Sequence, residues 1–165
     1  MNNIKYYIQE KLILNKTIKS YKYHPKDRYE LRKILEKRLA KDKNANLNDI
    51  DVSKITDMAY LDKHTGYYGL FQNLDPHNIN ISEWDMSNCE DISYMFYNCR
   101  NFNCDLSKWN ISKIEFMHFT FHMCENFEGK DLDNWNLENC NYNLNMNGIF
   151  NGCKSLKNIP RWYKK

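Results

Sequence analysis

Six cysteines and five histidines are the residues best equipped for chemistry in this 165-residue chain. A zinc site normally draws on close ligand pairs of the C-x-x-C kind, and none occurs among Cys89, Cys99, Cys104, Cys124, Cys140 and Cys153. Instead Cys99, Cys124 and Cys153 hold matching places in a longer period, as do Cys89 and Cys140. Ladders of buried thiols acting as small apolar side chains account for this better than a metal does. Cys104 falls outside the pattern, with no identifiable neighbour to lower its pKa for nucleophilic work. His118 and His122 stand four apart, a spacing that grips zinc from one helix face, and Cys124 is close by. The apolar phase turns Met117 and Phe121 inward, however, and so both histidines outward.

Other reactive arrangements are missing. Gly66, Gly69, Gly129, Gly148 and Gly152 form no phosphate-cradling loop, and there is neither a G-x-S-x-G elbow nor an H-E-x-x-H pair. The carboxylates Glu90 and Asp91 sit where a short helix is expected to begin, and they suit its positive end. The expectation is a non-enzymatic protein with no catalytic residue, no metal, no cofactor and no small-molecule substrate.

A repeat must position these residues. The four tryptophans Trp84, Trp109, Trp135 and Trp162 follow one another at spacings of 25, 26 and 27 residues. An apolar residue lies three before the first three of them, at Ile81, Leu106 and Leu132, and two after, at Met86, Ile111 and Leu137. Phe96 and Phe121 come at twelve past the Trp, Cys99 and Cys124 at fifteen, and Phe102 and Phe127 at eighteen; the third unit follows with an insertion through Phe150, Cys153 and Leu156. An earlier, degenerate unit starts at Leu47 with Ile50 in the tryptophan place, and carries an insertion near residues 62–69. Apolar residues at intervals of three and four, as in Cys89, Ile92, Met95, Phe96 and Cys99, predict a short helix in each unit, and the run before each Trp looks extended. Trp84, Trp109, Trp135, Trp162, Phe96, Phe121, Cys99, Cys124 and Cys153 are the expected core. The predicted fold is therefore an α/β repeat: a leucine-rich-repeat-type right-handed solenoid of four to five short units of about 25 residues over 46–163, behind an α-helical basic cap over 1–45, the whole one structural domain.

The runs ISEWDMSNCEDISYMFYNCRNF and DLSKWNISKIEFMHFTFHMCENF resemble the BspA-like leucine-rich repeat proteins, in particular the branch of mycoplasmas and other low-GC bacteria with its W-D-V-S and M-F-x-x-C signatures. The resemblance spans about residues 47–160 and extends upstream into HPKDRYELRKILEKRLAK. Thr120 in place of Met, Ile50 in place of Trp and the insertion after Leu61 depart from the pattern. The resemblance implies a solenoid and an interaction role, often at a bacterial surface.

In the N-terminal segment Pro25 suits a first helical turn, after which Leu31, Ile34, Leu35 and Leu39 share a face and Arg28, Arg32, Lys33, Lys37, Arg38 and Lys41 line the others. Residues 1–50 hold thirteen basic and six acidic side chains, a net +7, while the remainder carries about -4. The basic end invites an acidic partner. Tyr94, Tyr97, Phe116 and Phe119 sit at non-core phases, and Tyr67 and Tyr68 fall in the insertion; exposed aromatics of this kind supply contact energy at protein interfaces. The candidate partner-binding set is these six with Arg28, Arg32, Lys33, Lys37 and Arg38.

No window reaches membrane-spanning length and the start lacks the apolar stretch of a signal peptide, so a cytoplasmic protein is expected, or a surface or secreted one if the chain is an excised fragment. Three functions follow in order. The first is a protein-binding inhibitor or adaptor docking on one macromolecular target; its most specific form is a phage or mobile-element inhibitor of a host defence nuclease, anti-CRISPR-like, with a ribonucleoprotein as target. The second is an adhesion module, and the third a single-stranded RNA binder using the basic segment and its tyrosines.

Overall fold

The computed structural model describes residues 20–59, 69–137 and 146–163. Its regular helix, α1 (Arg28–Leu39), begins where Asp27 accepts hydrogen bonds from the backbone N–H groups of Tyr29 and Glu30, both at 2.9 Å, which fixes the cap. Glu30 in the first turn and Lys37 and Arg38 in the last complement the helix dipole. Leu31, Leu35 and Leu39 form a stripe at intervals of four and are fully buried; Ile34 packs beside them half-buried. Burying each such leucine contributes about 1.5–3 kcal/mol.

Beyond α1 the structure overturns the α/β expectation. Among the described residues there is no strand, and the other helical element is a 3₁₀ turn, Leu132–Asn134. Parallel pairing is confined to isolated bridges such as Asp57 with Asp91 and Asp91 with Phe116. The units are not strand-plus-helix, so the leucine-rich-repeat-type solenoid behind an α-helical cap is not the architecture seen.

Where short helices were expected, residues 92–99, 117–124 and 146–153 each form three overlapping β-turns. In the first, Met95 N–H donates to Ile92 O, Tyr97 to Tyr94 and Cys99 to Phe96; the other two segments repeat this from Thr120 to Cys124 and from Ile149 to Cys153. The third residue of the first and last turn has positive φ, at Tyr94 and Asn98, Phe119 and Met123, Gly148 and Gly152. That is the type II turn signature, and it stops a helix from propagating. Alternate N–H groups are then left to point along the stack: Tyr94, Phe96 and Asn98 donate to His118 O, Thr120 O and His122 O, and Phe119, Phe121 and Met123 donate to Asn147 O, Ile149 O and Asn151 O. Phe71 donates to Met95 O in the same sense. We call these four levels, from residues 69–74 onward, tiers one to four.

Side chains tie the tiers as well. The indole Nε1 of Trp84, Trp109, Trp135 and Trp162 donates to the carbonyl of Leu47, Ile81, Leu106 and Leu132 at 2.7–2.9 Å. The Cys124 and Cys153 thiols donate to Phe96 O and Phe121 O at 3.0 Å. Phe71, Phe96, Phe121 and Phe150 stack down the centre with centroids 4.9, 5.5 and 5.8 Å apart. Asx turns bend the linking segments: Asp51, Asn80, Asp85, Asp105 and Asn110 accept the N–H of the serine two residues on.

Candidate functional site: a ring patch on tiers two and three

The positive-φ places recur through the tiers as Gly69, Tyr94, Phe119 and Gly148, and as Asn73, Asn98, Met123 and Gly152. Glycine and asparagine are the residues this backbone favours; a bulky residue there is an outlier. Tyr94 (φ 58°) and Phe119 (φ 55°) hold it in the two middle tiers, at about 1–2 kcal/mol each. Their rings stack 5.2 Å apart with planes at 26°. Beside them Tyr97 lies flat on His122, centroids 5.0 Å apart and planes at 4°. His118 meets the Tyr94 ring edge-on at 5.0 Å, and its Nδ1 lies 2.9 Å from Ser93 Oγ. Phe119 also meets His122 edge-on at 5.4 Å.

The patch is bounded by glycine on the far side: a Cβ on Gly148 would come 2.4 Å from Phe119 Cε1, so the ring covers that residue. Buried His122 Nδ1 has no hydrogen-bond partner among the described residues. All five rings are half-buried. Such a surface offers ring edges, hydroxyls and imidazoles to a partner.

Among the described residues the thiols are not poised as nucleophiles. Burial pushes the Cys89 and Cys153 thiols up to about 12 and Cys104 to about 11, and drives Cys99 and Cys124 upward as well. Thiols held protonated are poor nucleophiles and poor metal ligands. His118 and His122 are not on a helix, and among the described residues no cluster of three or more His, Cys, Asp or Glu side chains is placed to hold a metal.

The family model described as "Mycoplasma protein of unknown function, DUF285" matches residues 29–162. The chain belongs to this family. No curated protein and no solved structure matches it. The matched span of this DUF285 chain takes in α1 from its second residue, the ring patch and all four tryptophans.

Of the partner-binding candidates, the structure gathers Tyr94, Tyr97 and Phe119, while Phe116 stands apart at a bridge, 43% exposed. Tyr67 and Tyr68 lie outside the described residues, as does Cys140. Three arginines of α1 face back into the molecule. Arg28 pairs with Asp57 and donates to Ala59 O; Arg32 donates to Leu70 O at 2.7 Å and Gln72 O at 2.9 Å; Arg38 holds both oxygens of Asp49 at 2.9 Å and reaches Asn46 O. Lys33 and Lys37 remain exposed. His118 and His122 are patch members that the metal question obscured; the recurrence of position 94 at 69 and 119 was the available signal. Among the described residues no helix is long and apolar enough to cross a membrane.

Proposed function

We propose that this DUF285 chain is a non-catalytic, protein-binding module of the BspA-like kind, working inside the cell as an adaptor or inhibitor, with the ring patch as its contact surface. The observation that carries the reading is the left-handed backbone of Tyr94 and Phe119. Glycine fills the equivalent places in tiers one and four, so the fold does not require a ring there. Backbone strain retained at adjacent levels and spent on half-buried aromatics is characteristic of recognition surfaces.

The test is affinity capture from a mycoplasma lysate with the tagged chain and with the double variant Tyr94→Gly, Phe119→Gly, which keeps the turn backbone. A nuclease-resistant protein held by the parent and lost by the variant is the expected result. Capture that disappears on RNA digestion would replace this reading with RNA binding; equal capture by both proteins would remove the patch from it.

A further inference from the structure

Three segments that lead toward the tiers lie side by side in parallel register. Glu90 N–H donates to Thr56 O and Glu115 N–H to Glu90 O, at 2.7 and 2.8 Å; Met58 N–H donates to Asp91 O and Ile92 N–H to Phe116 O, at 2.8 and 2.9 Å. Asp57, Asp91 and Phe116 thus form one column of bridged residues, with Thr56, Glu90 and Glu115 as the column beside it. Segments paired in this way lie about 4.8 Å apart. Each pair of residues stands at a corner: Cys89 and Ile92 are buried on either side of Glu90 and Asp91, as Ile114 and Met117 are on either side of Glu115 and Phe116. Both columns therefore face outward, and Glu90, Glu115 and Phe116 are exposed.

Elsewhere along the stack unlike charges meet. Lys108 bonds to Glu83 at 3.0 Å, Lys154 and Arg100 reach Glu125 at 2.6 and 3.7 Å, and Arg161 meets Asp133 at 3.2 Å. The outward columns do the opposite: Glu90 is set against Glu115 and Asp57 against Asp91, and like charges on paired segments repel. Arg28 pairs with Asp57 at one edge. Among the described residues Glu90, Asp91 and Glu115 have no ion pair, and Lys113, two residues before Glu115, is bonded to Asn88 at 2.8 Å. Phe116 departs from its column in a second way. Asp57 and Asp91 close Asx turns, accepting the N–H of Ala59 and Ser93 at 2.9 and 2.7 Å. Phe116 forgoes that bond and leaves its ring 43% exposed. The fold gains from neither the stacked glutamates nor the bare ring.

We infer that this corner docks an arginine-bearing, basic segment of a partner protein, with a guanidinium laid on Phe116 and bonded to Glu90 and Glu115. Ring and carboxylates point to a cation independently, one through the negative face of the ring and the other through charge. Arginine answers both, because its planar fork stacks on an aromatic face while its edge bonds carboxylates, whereas an ammonium is a point charge. The same carboxylates repel a phosphate backbone. A divalent metal does not suit the corner, since among the described residues no three ligating side chains are placed to hold one. The corner adjoins the ring patch at His118, two residues beyond Phe116, but its argument is charge and not the strained backbone of Tyr94 and Phe119, so neither reading depends on the other.

The test has two parts, both on the full chain. Thermal melts compare the parent with the double variant Glu90→Gln, Glu115→Gln. Relief of repulsion should leave the variant's midpoint equal to or above the parent's; a midpoint lower by more than about 3 °C would mean that a base of this chain already holds the carboxylates, and the proposal would fall. An NMR amide titration at low salt then uses the acetylated, amidated tripeptide Arg-Gly-Arg and its lysine and glutamate counterparts. The arginine peptide should shift residues 90–91 and 115–118, the lysine peptide should bind at least about threefold more weakly, and the glutamate peptide should not bind. The double variant and Phe116→Ala should each weaken the arginine peptide at least about fivefold. Shifts scattered over every exposed carboxylate, or unchanged in the double variant, overturn the proposal.

Discussion

Arg32 donates through one guanidinium nitrogen to the carbonyls of both Leu70 and Gln72, at 2.7 and 2.9 Å, across nearly forty residues of sequence. A basic residue that looks like surface in a helical-wheel reading is thereby part of the fold. Charge-assisted bonds contribute about 1.5–3 kcal/mol. Arg32→Met should lower unfolding free energy by about 2 kcal/mol in urea titration, whereas Lys33→Met, on an exposed position, should stay within about 0.5 kcal/mol of the parent.

Trp109 fills core and also satisfies Ile81 O. Trp109→Phe preserves an aromatic ring but removes one of the two hydrogen bonds that Ile81 O accepts, the Trp84 N–H remaining at 3.1 Å, a loss of about 0.5–1.5 kcal/mol before any cavity cost. Chemical denaturation of the variant checks this; a loss below about 0.5 kcal/mol would show that the indole acts by volume alone.

Gly69 and Gly152 both have positive φ, at 98° and 80°, but their surroundings differ. A Cβ on Gly69 would lie 2.0 Å from the Tyr94 carbonyl oxygen, which is backbone, while on Gly152 the nearest atom is the Met123 sulfur at 2.5 Å, which can swing away. Gly152→Ala should cost about 1–2 kcal/mol and Gly69→Ala distinctly more. Thermal melts of the two variants side by side give the order.

These turns explain what could and could not be read from sequence. The 25-residue recurrence of tryptophan was legible because each indole must reach the carbonyl of the preceding unit. The conformation between was not. Apolar residues such as Ile92, Met95, Phe96 and Cys99 fall at intervals of three and four in an α-helix, and equally in overlapping turns closed by i to i+3 bonds. Positive φ at Asn73, Asn98, Gly148 and Gly152 was the distinguishing signal, weakened because Tyr94, Phe119 and Met123 occupy the same places. The ring patch was half legible: Tyr94, Tyr97 and Phe119 stood out of phase with the core, but His118 and His122, turned outward by the same phase, were weighed as a metal pair and not grouped with them.

Acid should weaken the fold through its Asx turns. The Asp105 carboxyl is held below its usual value by the hydroxyl and N–H of Ser107, and Asp75 by the Asn101 amide, which together with His77 outweighs burial. At Asp51 burial acts upward, but Ser53 and His24 bring the net shift down. A carboxylate depressed in the folded state contributes stability that is complete above its unfolded pKa, about 3.9, and is lost as pH falls through the lower folded value. Unfolding midpoints should hold steady from pH 7 to about 5 and drop below about 4; a drop that begins near pH 6 would point to histidine instead.

The native thiols should be sluggish. Cys89, Cys99 and Cys124 are buried and protonated, so a thiol-specific reagent at neutral pH should label them only as the protein opens. Mass-spectrometric mapping should find Cys104, half-buried with its thiol raised to about 11, modified ahead of those three, and still more slowly than a free cysteine.

The one-way sense of the tier hydrogen bonds also gives the stack an electrical direction. Each N–H that points to the next tier aligns its peptide dipole with those above and below, as in an α-helix, so the partial charges cancel in the middle and survive at the ends. The negative end falls on Leu70 O and Gln72 O, where a guanidinium neutralises it. The positive end falls on Gly148, Phe150 and Gly152, with no fixed anion bonded to their N–H groups among the described residues. This polarity is written in the backbone and is independent of the formal charge of +3.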